Sequence, residues 1–352
     1  MVIKEKFIDY KEALLHMRRL KSAIIGLGHQ AIEDHIPGIK DSQFASLKAI
    51  CDIDEKKTKK WEDKLGVPGF TDYRELFDSV DLDFIIVAVP HNEYRGIIEE
   101  ASKRHLHVLK EKPFARNLEE AFYFKKLCDE NDIELMVTLQ RRFNPIYTTF
   151  FQLKDLIGDP FFVDMKYTLF IDNPHEGWRG KKVVAGGGCV IDMGYHMIDM
   201  LIWYFGLPDN ICAEFSAKAK PEEKYDAEDT ASILFSYETS LYGSLFLSRY
   251  CPPKTEQIKV IGDRGIIEVE RGRIRRLRNN GEIVESLTRE YSWPIAATNQ
   301  IDYFCRVIKG ERENIGSPEY HLQHVSFVEA CYESKKKKRY INPKELLSQY
   351  GR

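Results

Sequence analysis

Residues 22–31 read "SAIIGLGHQA", an apolar run that breaks at two glycines and resumes as a helix-forming segment. The G-x-G-x-x-A spacing gains physical content when it leaves a strand and enters a helix. Gly26 permits a tight turn, Gly28 lets a pyrophosphate approach the backbone, and Ala31 leaves room for the helix to pack on the strand. The helix N-terminus, with Leu27, His29 and Gln30 around it, offers N–H groups to phosphate. A glycine turn that binds no nucleotide has the same local pattern, so a second feature has to decide. The next strand ends in "AICDID", placing Asp52 twenty-four residues after Gly28. That is near the roughly 20-residue interval of the acid that binds an adenosine ribose. A carboxylate there accepts from both ribose hydroxyls and repels a 2′-phosphate, favouring NAD over NADP, while Lys56 and Lys57 temper the preference. Methyltransferases use a similar turn and acid, so an S-adenosylmethionine enzyme stays open at this point.

Outward from the turn, strands and helices alternate. "SLKAIC" (46–51), a helix from Glu55 to Leu65, "DFIIVAV" (83–89), a helix near 93–103, "HVLKE", the helix "NLEEAFYFKKLCDEN" and "ELMVTLQ" (134–140) imply parallel βαβ units. The expectation is a doubly wound Rossmann domain over residues 21–143. After Pro145 the pattern changes to one helix, a long strand "FFVDMKYTLFI", a helix spanning "GGGCVIDMGYHMIDML" (186–201), and five strands near 211–218, 229–237, 241–249, 257–262 and 265–270. Strands following strands predict a large open, mainly antiparallel sheet, so residues 144–352 form a second α/β domain closed by helices near 296–310 and 318–333. Residues 1–20 precede the first strand as an extension.

Composition agrees. A chain of 352 residues is long enough for two cores, and 43% hydrophobic with 30% charged residues is the soluble globular balance. A formal net charge of −3 provides no field for nucleic acid or an anionic membrane, and no apolar run approaches the roughly 20 residues of a membrane span. A small molecule is the expected partner. Seven cysteines without a CxxC pair point away from disulfides and structural zinc and toward a reducing cytoplasm. No metal site is expected; His105, His107, His321 and His324 have metal-like spacings but no convergent acids, and read as surface histidines. "KKKKR" (335–339) reads as solvated cations favoured at a helix C-terminus.

The segment "HVLKEKPFARNLEEA" (107–121) decides between the nucleotide enzymes. With "GLGHQAIEDHIPGI", "IIVAVPHNEY", "KEKPFA", "LQRRFNP" and "GWRGKKVVAGGGCVIDMGYHMIDML" in order, the chain from about residue 21 to 340 resembles the family of glucose–fructose oxidoreductase, inositol dehydrogenase and rhizopine-catabolism proteins, Gfo/Idh/MocA. Pro90 and Lys112 are twenty-two residues apart, as the family pattern has them, whereas Tyr94 stands where many members carry histidine. The resemblance implies a nicotinamide enzyme for sugars or polyols, and a homodimer or homotetramer formed through the outer face of the second sheet. It implies cofactor contacts from Gly26, Leu27, Gly28, His29, Gln30, Asp52, Val89, Pro90, Asn92, Glu111 and Lys112, and substrate contacts from Lys112, Arg142, Trp178, Arg179, Asp192 and His196. Asn144 and Asp199 are further candidates, for a ligand contact or a structural bond.

Asp192 and His196 are four residues apart and so share the same face of one helix. A histidine is suited to take a proton near neutrality, and a nearby carboxylate can orient it. The resemblance turns that into a mechanism: His196 takes the hydroxyl proton, Lys112 stabilises the developing alkoxide, and Asp192 positions the histidine. In some relatives the lysine is the acid/base. Gly186, Gly187 and Gly188 read either as a close approach to ligand or as a flexible lead into the helix. The alternatives are a catalytically silent NAD-binding regulator, which the intact Lys112, Asp192 and His196 argue against, and the methyltransferase, which leaves "EKP" unexplained.

Overall fold

The computed structural model describes residues 18–290 and 292–350; most of the expected extension, residues 1–17, lies outside them. Six strands form a parallel sheet: β1 (Leu20–Ile25), β2 (Ala45–Cys51), β3 (Gly69–Phe70), β4 (Phe84–Val87), β5 (His107–Lys110) and β6 (Leu135–Val137), in the order β3-β2-β1-β4-β5-β6. Covered on both faces, the central strands are continuous apolar runs, so Ile24 of β1 lies between Ile50 and Ile86 with all three fully buried. The strand order reverses beside β1, where α/β sheets hold their ligands.

Between the strands run a π-helical turn (Ala31–His35) leading into α1 (Ile36–Asp41), α2 (Glu55–Leu65), α3 (Tyr73–Ser79), α4 (Tyr94–Ser102) and α5 (Leu118–Asn131). Asp54 caps α2 by accepting from Lys57 N, and Asn117 caps α5 by accepting from Glu120 N. β3 and α3 are additions to the sequence reading, too short to show a period.

Where one helix was expected after Pro145, there are three short helical turns, including α6 (Pro145–Thr148) and α7 (Phe150–Leu153). After α8 (Lys182–Ala185), the predicted helix over 186–201 begins only at Gly194 and runs to Phe205 as α9. Residues 188–193 form turns, with Asp192 N donating to Gly188 O and Gly194 N to Cys189 O. The apolar residues continue through this stretch because the turns themselves are buried, which periodicity could not distinguish from helix.

The second sheet has eight strands, two more than the long strand and the five read after it, the additions being the last two: β7 (Pro160–Phe170), β8 (Asn210–Ser216), β9 (Thr230–Ser236), β10 (Tyr242–Ser248), β11 (Tyr250–Gly262), β12 (Gly265–Glu270), β13 (Arg273–Leu277) and β14 (Ile283–Thr288). Their order is β14-β13-β12-β11-β7-β10-β9-β8, antiparallel except for β7 with β10. One face alternates inward with Ile233, Phe235, Leu245, Leu247, Ile258 and Val260, packed with Met197 and Leu201 of α9 in the main core. The other face is open. α10 (Trp293–Ile308) crosses back to the first sheet, where Ile301, Phe304 and Cys305 pack with Ile24, Phe84 and Ile86. α11 (Pro318–Lys337) lies between α5 and β8, and α12 (Pro343–Tyr350) closes the chain.

Candidate active site

The carboxyl ends of β1, β2, β4 and β5 open into a cleft of about 610 Å³, within the usual range for a small-molecule site. Gly26 has φ +91°, and a Cβ there would lie 2.3 Å from Ala88 O, so the turn admits no side chain. Gly28 faces open space, with only Ala88 O at 4.0 Å. His29, Gln30, Val89, Pro90 and Glu111 line the cleft. At one end sits Asp52, whose Oδ2 accepts from Leu27 N at 2.7 Å and whose Oδ1 accepts from Asp54 N at 3.0 Å. Lys57 Nζ lies 3.3 Å from Oδ2. The acid thus ties the glycine turn to the second strand while keeping a face to the cleft. These features, a side-chain-free turn with a carboxylate at the far end, fit a dinucleotide.

Lys112 marks the opposite end. Its turn is braced from below by the fully buried Lys110, whose ammonium donates to the carbonyls of Glu111, Pro113 and Phe114 and lies 3.6 Å from the Tyr94 ring centroid. Burial pulls the Lys110 pKa down to about 7. Glu111 is held by His35 at 2.8 Å, and Phe114 N donates to the Tyr195 hydroxyl. Fixed at these points, the turn delivers Lys112 Nζ to Asp192, 2.7 Å from Oδ1 and 2.9 Å from its carbonyl. Arg179 Nε and Arg249 take Asp192 Oδ2 at 3.2 and 2.8 Å. Burial alone would raise the Asp192 carboxyl, but Lys112, Arg249 and Arg179 hold it well below the usual carboxylate range. Three cations on one carboxylate leave an excess of positive charge at this end of the cleft.

His196 lies in the first turn of α9 and lines an adjoining pocket of about 390 Å³ that shares His29, Gln30, Glu111 and Lys112 with the cleft. Burial, then the charges of Arg141 and Lys112, push its pKa well below that of free histidine, with Asp192 opposing. The imidazole is therefore neutral at physiological pH, the form that accepts a proton. Asp192 does not orient it as expected: Asp192 lies in the turn before the helix, both its oxygens are taken by cations, and among the described residues no hydrogen bond joins the two side chains. Its influence on His196 is through charge.

Trp178 and Arg179 line the cleft beside Asp192, the Arg179 guanidinium 4.3 Å from the Trp178 ring. Other predicted residues go elsewhere. Arg142 is buried in an ion pair with Asp199 at 2.6 Å and donates to Ile315 O, so it serves the interior and not the cleft. Asp199 also meets His324 Nε2 at 2.9 Å, and Asn144 caps α6. Leu27 points into the core, contributing only its backbone, and Asn92 bonds its neighbour Glu93 outside the cleft lining. The three glycines approach protein: added Cβ atoms would meet Arg116 at 2.8 Å, the Tyr332 hydroxyl at 1.8 Å and Glu228 O at 2.0 Å. His321 and His324 are fully buried, not surface residues, because α11 is covered on both sides. No group of three or more His, Cys, Asp or Glu among the described residues could hold a metal.

Two residues at the site escaped the sequence reading. Arg249, almost fully buried between β10 and β11, is fifty-seven residues from the carboxylate it binds; its only signal is a lone arginine in "FLSRYC". His91 follows the proline turn, donates through Nδ1 to Ala185 O at 2.6 Å and packs edge-on against Trp178. Burial pushes it down to about 3, so it is neutral.

Residues 20–139 match an oxidoreductase family with an NAD-binding Rossmann fold, and residues 154–268 match the GFO/IDH/MocA C-terminal domain. The chain is 26% identical over 342 residues to a D-apiose dehydrogenase of Rhizobium rhizogenes, covering 91% of this chain and 96% of that one. It is 26% identical over 257 residues to a myo-inositol 2-dehydrogenase of Thermotoga maritima, covering 70% and 74%. A crystal structure of an oxidoreductase from Agrobacterium radiobacter, in complex with NAD+, L-tartaric acid and magnesium, superimposes with TM-score 0.82 over 94% of this chain and 100% of that chain at 23% identity. The protein belongs to the Gfo/Idh/MocA family of NAD-binding oxidoreductases.

Proposed function

We propose that this oxidoreductase moves a hydride between NAD and a carbinol of a sugar or polyol bound at the junction of the two pockets. The observation that carries the reading is Lys112, shared by the dinucleotide cleft and the His196 pocket and fixed on Asp192. Bound nicotinamide supplies the hydride acceptor. Neutral His196 accepts the hydroxyl proton, and Lys112 donates a hydrogen bond to the oxygen as it becomes negative. Asp192 holds Lys112 in place through its carboxylate and carbonyl, while Lys112, Arg249 and Arg179 keep Asp192 ionised. Asp52 favours NAD over NADP through the ribose, with Lys57 softening the preference. The relatives named as dehydrogenases of apiose and inositol support a polyhydroxylated substrate.

The open face of the second sheet supports a homodimer or homotetramer, since Leu234 and Tyr242 project from it half-exposed beside Phe162 and Phe246. All seven cysteines are free, in keeping with a reducing cytoplasm. The test is NADH formation at 340 nm across a panel of aldoses, polyols and inositols. Turnover of at least one with NAD+ is expected, and NADH binding with no turnover on any would favour the silent regulator.

A further inference from the structure

The pocket beyond His196 continues outward. Lys254, Glu256, Arg271 and Trp293 line both it and a second hollow of about 750 Å³ over the ends of β11 to β14. Charges along this path are unequally matched. Glu256 is taken by Arg141 through bonds of 2.6 and 2.8 Å and by the Tyr147 hydroxyl. Glu270 is taken by Arg273, Glu111 by His35, and Asp34 bonds Gln30 and Gln140. Burial raises the Asp34 pKa, with the bond from Gln140 opposing it. Two exposed acids remain, Glu33 on the Rossmann wall and Glu290 beside Arg289 at the outer end.

Lys254 and Arg271 stand apart. Among the described residues neither has a carboxylate within ion-pair distance, and Arg271 lies with its guanidinium 5.0 Å from the Trp293 ring centroid. Burial and then Arg271 lower the Lys254 pKa, and Glu256, already bonded to Arg141, only opposes them in part. An indole-backed guanidinium beside an ammonium is suited to a carboxylate or phosphate, whose oxygens accept from both. The pair stands at the open end of a pocket whose inner end holds His196 and Lys112.

Building on the function proposed above, we propose that the substrate is an anionic carbohydrate, its carboxylate or phosphate held by Lys254 and Arg271 while the reacting hydroxyl lies at His196 and Lys112. A neutral sugar would leave both cations without an anion within ion-pair distance.

The test titrates the NADH-bound protein with three probes of one chain length, sorbitol, gluconate and glucose 6-phosphate, following NADH fluorescence. At least one anion should bind about tenfold or more tighter than sorbitol, and raising the salt from about 0.05 to about 0.5 M should erode that advantage. Tighter gluconate identifies a carboxylate, tighter glucose 6-phosphate a phosphate. Arg271→Gln and Lys254→Gln should each reduce the anion-to-sorbitol ratio about tenfold, and Arg271→Lys should retain most of it. Equal or absent binding of all three, or an anion preference that survives both glutamine variants, would overturn the proposal. Oxidation is read separately: if the anions bind through these residues but neither they nor the panel of sugars is oxidised, the function proposed above fails and the anion subsite stands.

Discussion

Asp192 and Asp199 come from one sixteen-residue segment, and both are buried carboxylates held by basic side chains, yet they serve different ends. Asp199, 1% exposed, is closed in by Arg142 and His324, with Tyr320 against the arginine. Asp192, 8% exposed, meets Lys112, Arg179 and Arg249 on the wall of the cleft. A carboxylate held by arginine in the interior fixes a packing arrangement. The same carboxylate at a cleft wall, given a lysine, fixes an ammonium where a ligand can reach it. What separates structure from chemistry here is the opening beside the pair, and residue type alone does not reveal it.

The largest expected difference comes from removing a cation on each side. Lys112→Met should lower kcat/KM by about 10³-fold or more with NADH affinity and melting temperature little changed, whereas Arg142→Met should act through stability. Steady-state kinetics with NADH titration and thermal melts separate the two, and near-native turnover in Lys112→Met would break the assignment. Next come the carboxylates. Asp199→Asn leaves a buried arginine unpaired and should cost about 3–5 kcal/mol in urea unfolding. Asp192→Asn, beside solvent in the cleft, should cost less stability but lower kcat about a hundredfold; the reverse ordering would abolish the distinction.

Acid should also act on the interior first. Burial holds the folded pKa of His324 below its unfolded value, despite Asp199, and holds His321 lower still. The unfolded chain therefore binds protons that the native chain refuses, and stability falls as pH drops below about 6.5 by up to about 1.4 kcal/mol per pH unit for each such histidine. Asp192 has a lowered folded pKa, so its contribution persists until pH falls below the ordinary carboxylate range. Urea unfolding from neutral to mildly acid pH should show this slope, and His324→Gln should flatten it. The smallest effect concerns a third held carboxylate. Asp52→Ser should reduce the NAD to NADP preference in kcat/KM by about tenfold, since Lys57 is then free of its partner; an unchanged ratio would detach Asp52 from cofactor choice.

Much of this was legible before the structure. Gly26, Asp52 and the alternating strands imply the Rossmann sheet because each depends on local geometry and short spacing. Lys112 and His196 were legible as a pair through motif order. The shared helix face of Asp192 and His196 was not, since buried turns carry the same apolar residues as a buried helix. Arg142 read as a ligand because a turn arginine between domains has no sequence mark to show that Asp199 waits for it. His321 and His324 read as surface because one helix cannot announce that it is covered twice. Arg249 escaped because ion pairs across a fold leave no spacing.

The return of α10 to the first sheet has a consequence for synthesis. As the chain emerges from the ribosome, the face bearing Ile24, Phe84 and Ile86, which Ile36, Ile39 and Trp61 cover in part, is completed only when Ile301 and Phe304 arrive, long after the last Rossmann strand has been made. The nucleotide half is therefore finished by the tail of the other half. A fragment ending near residue 143 would present an apolar face to water, and a nascent chain stalled before the last helices would be a client for a chaperone.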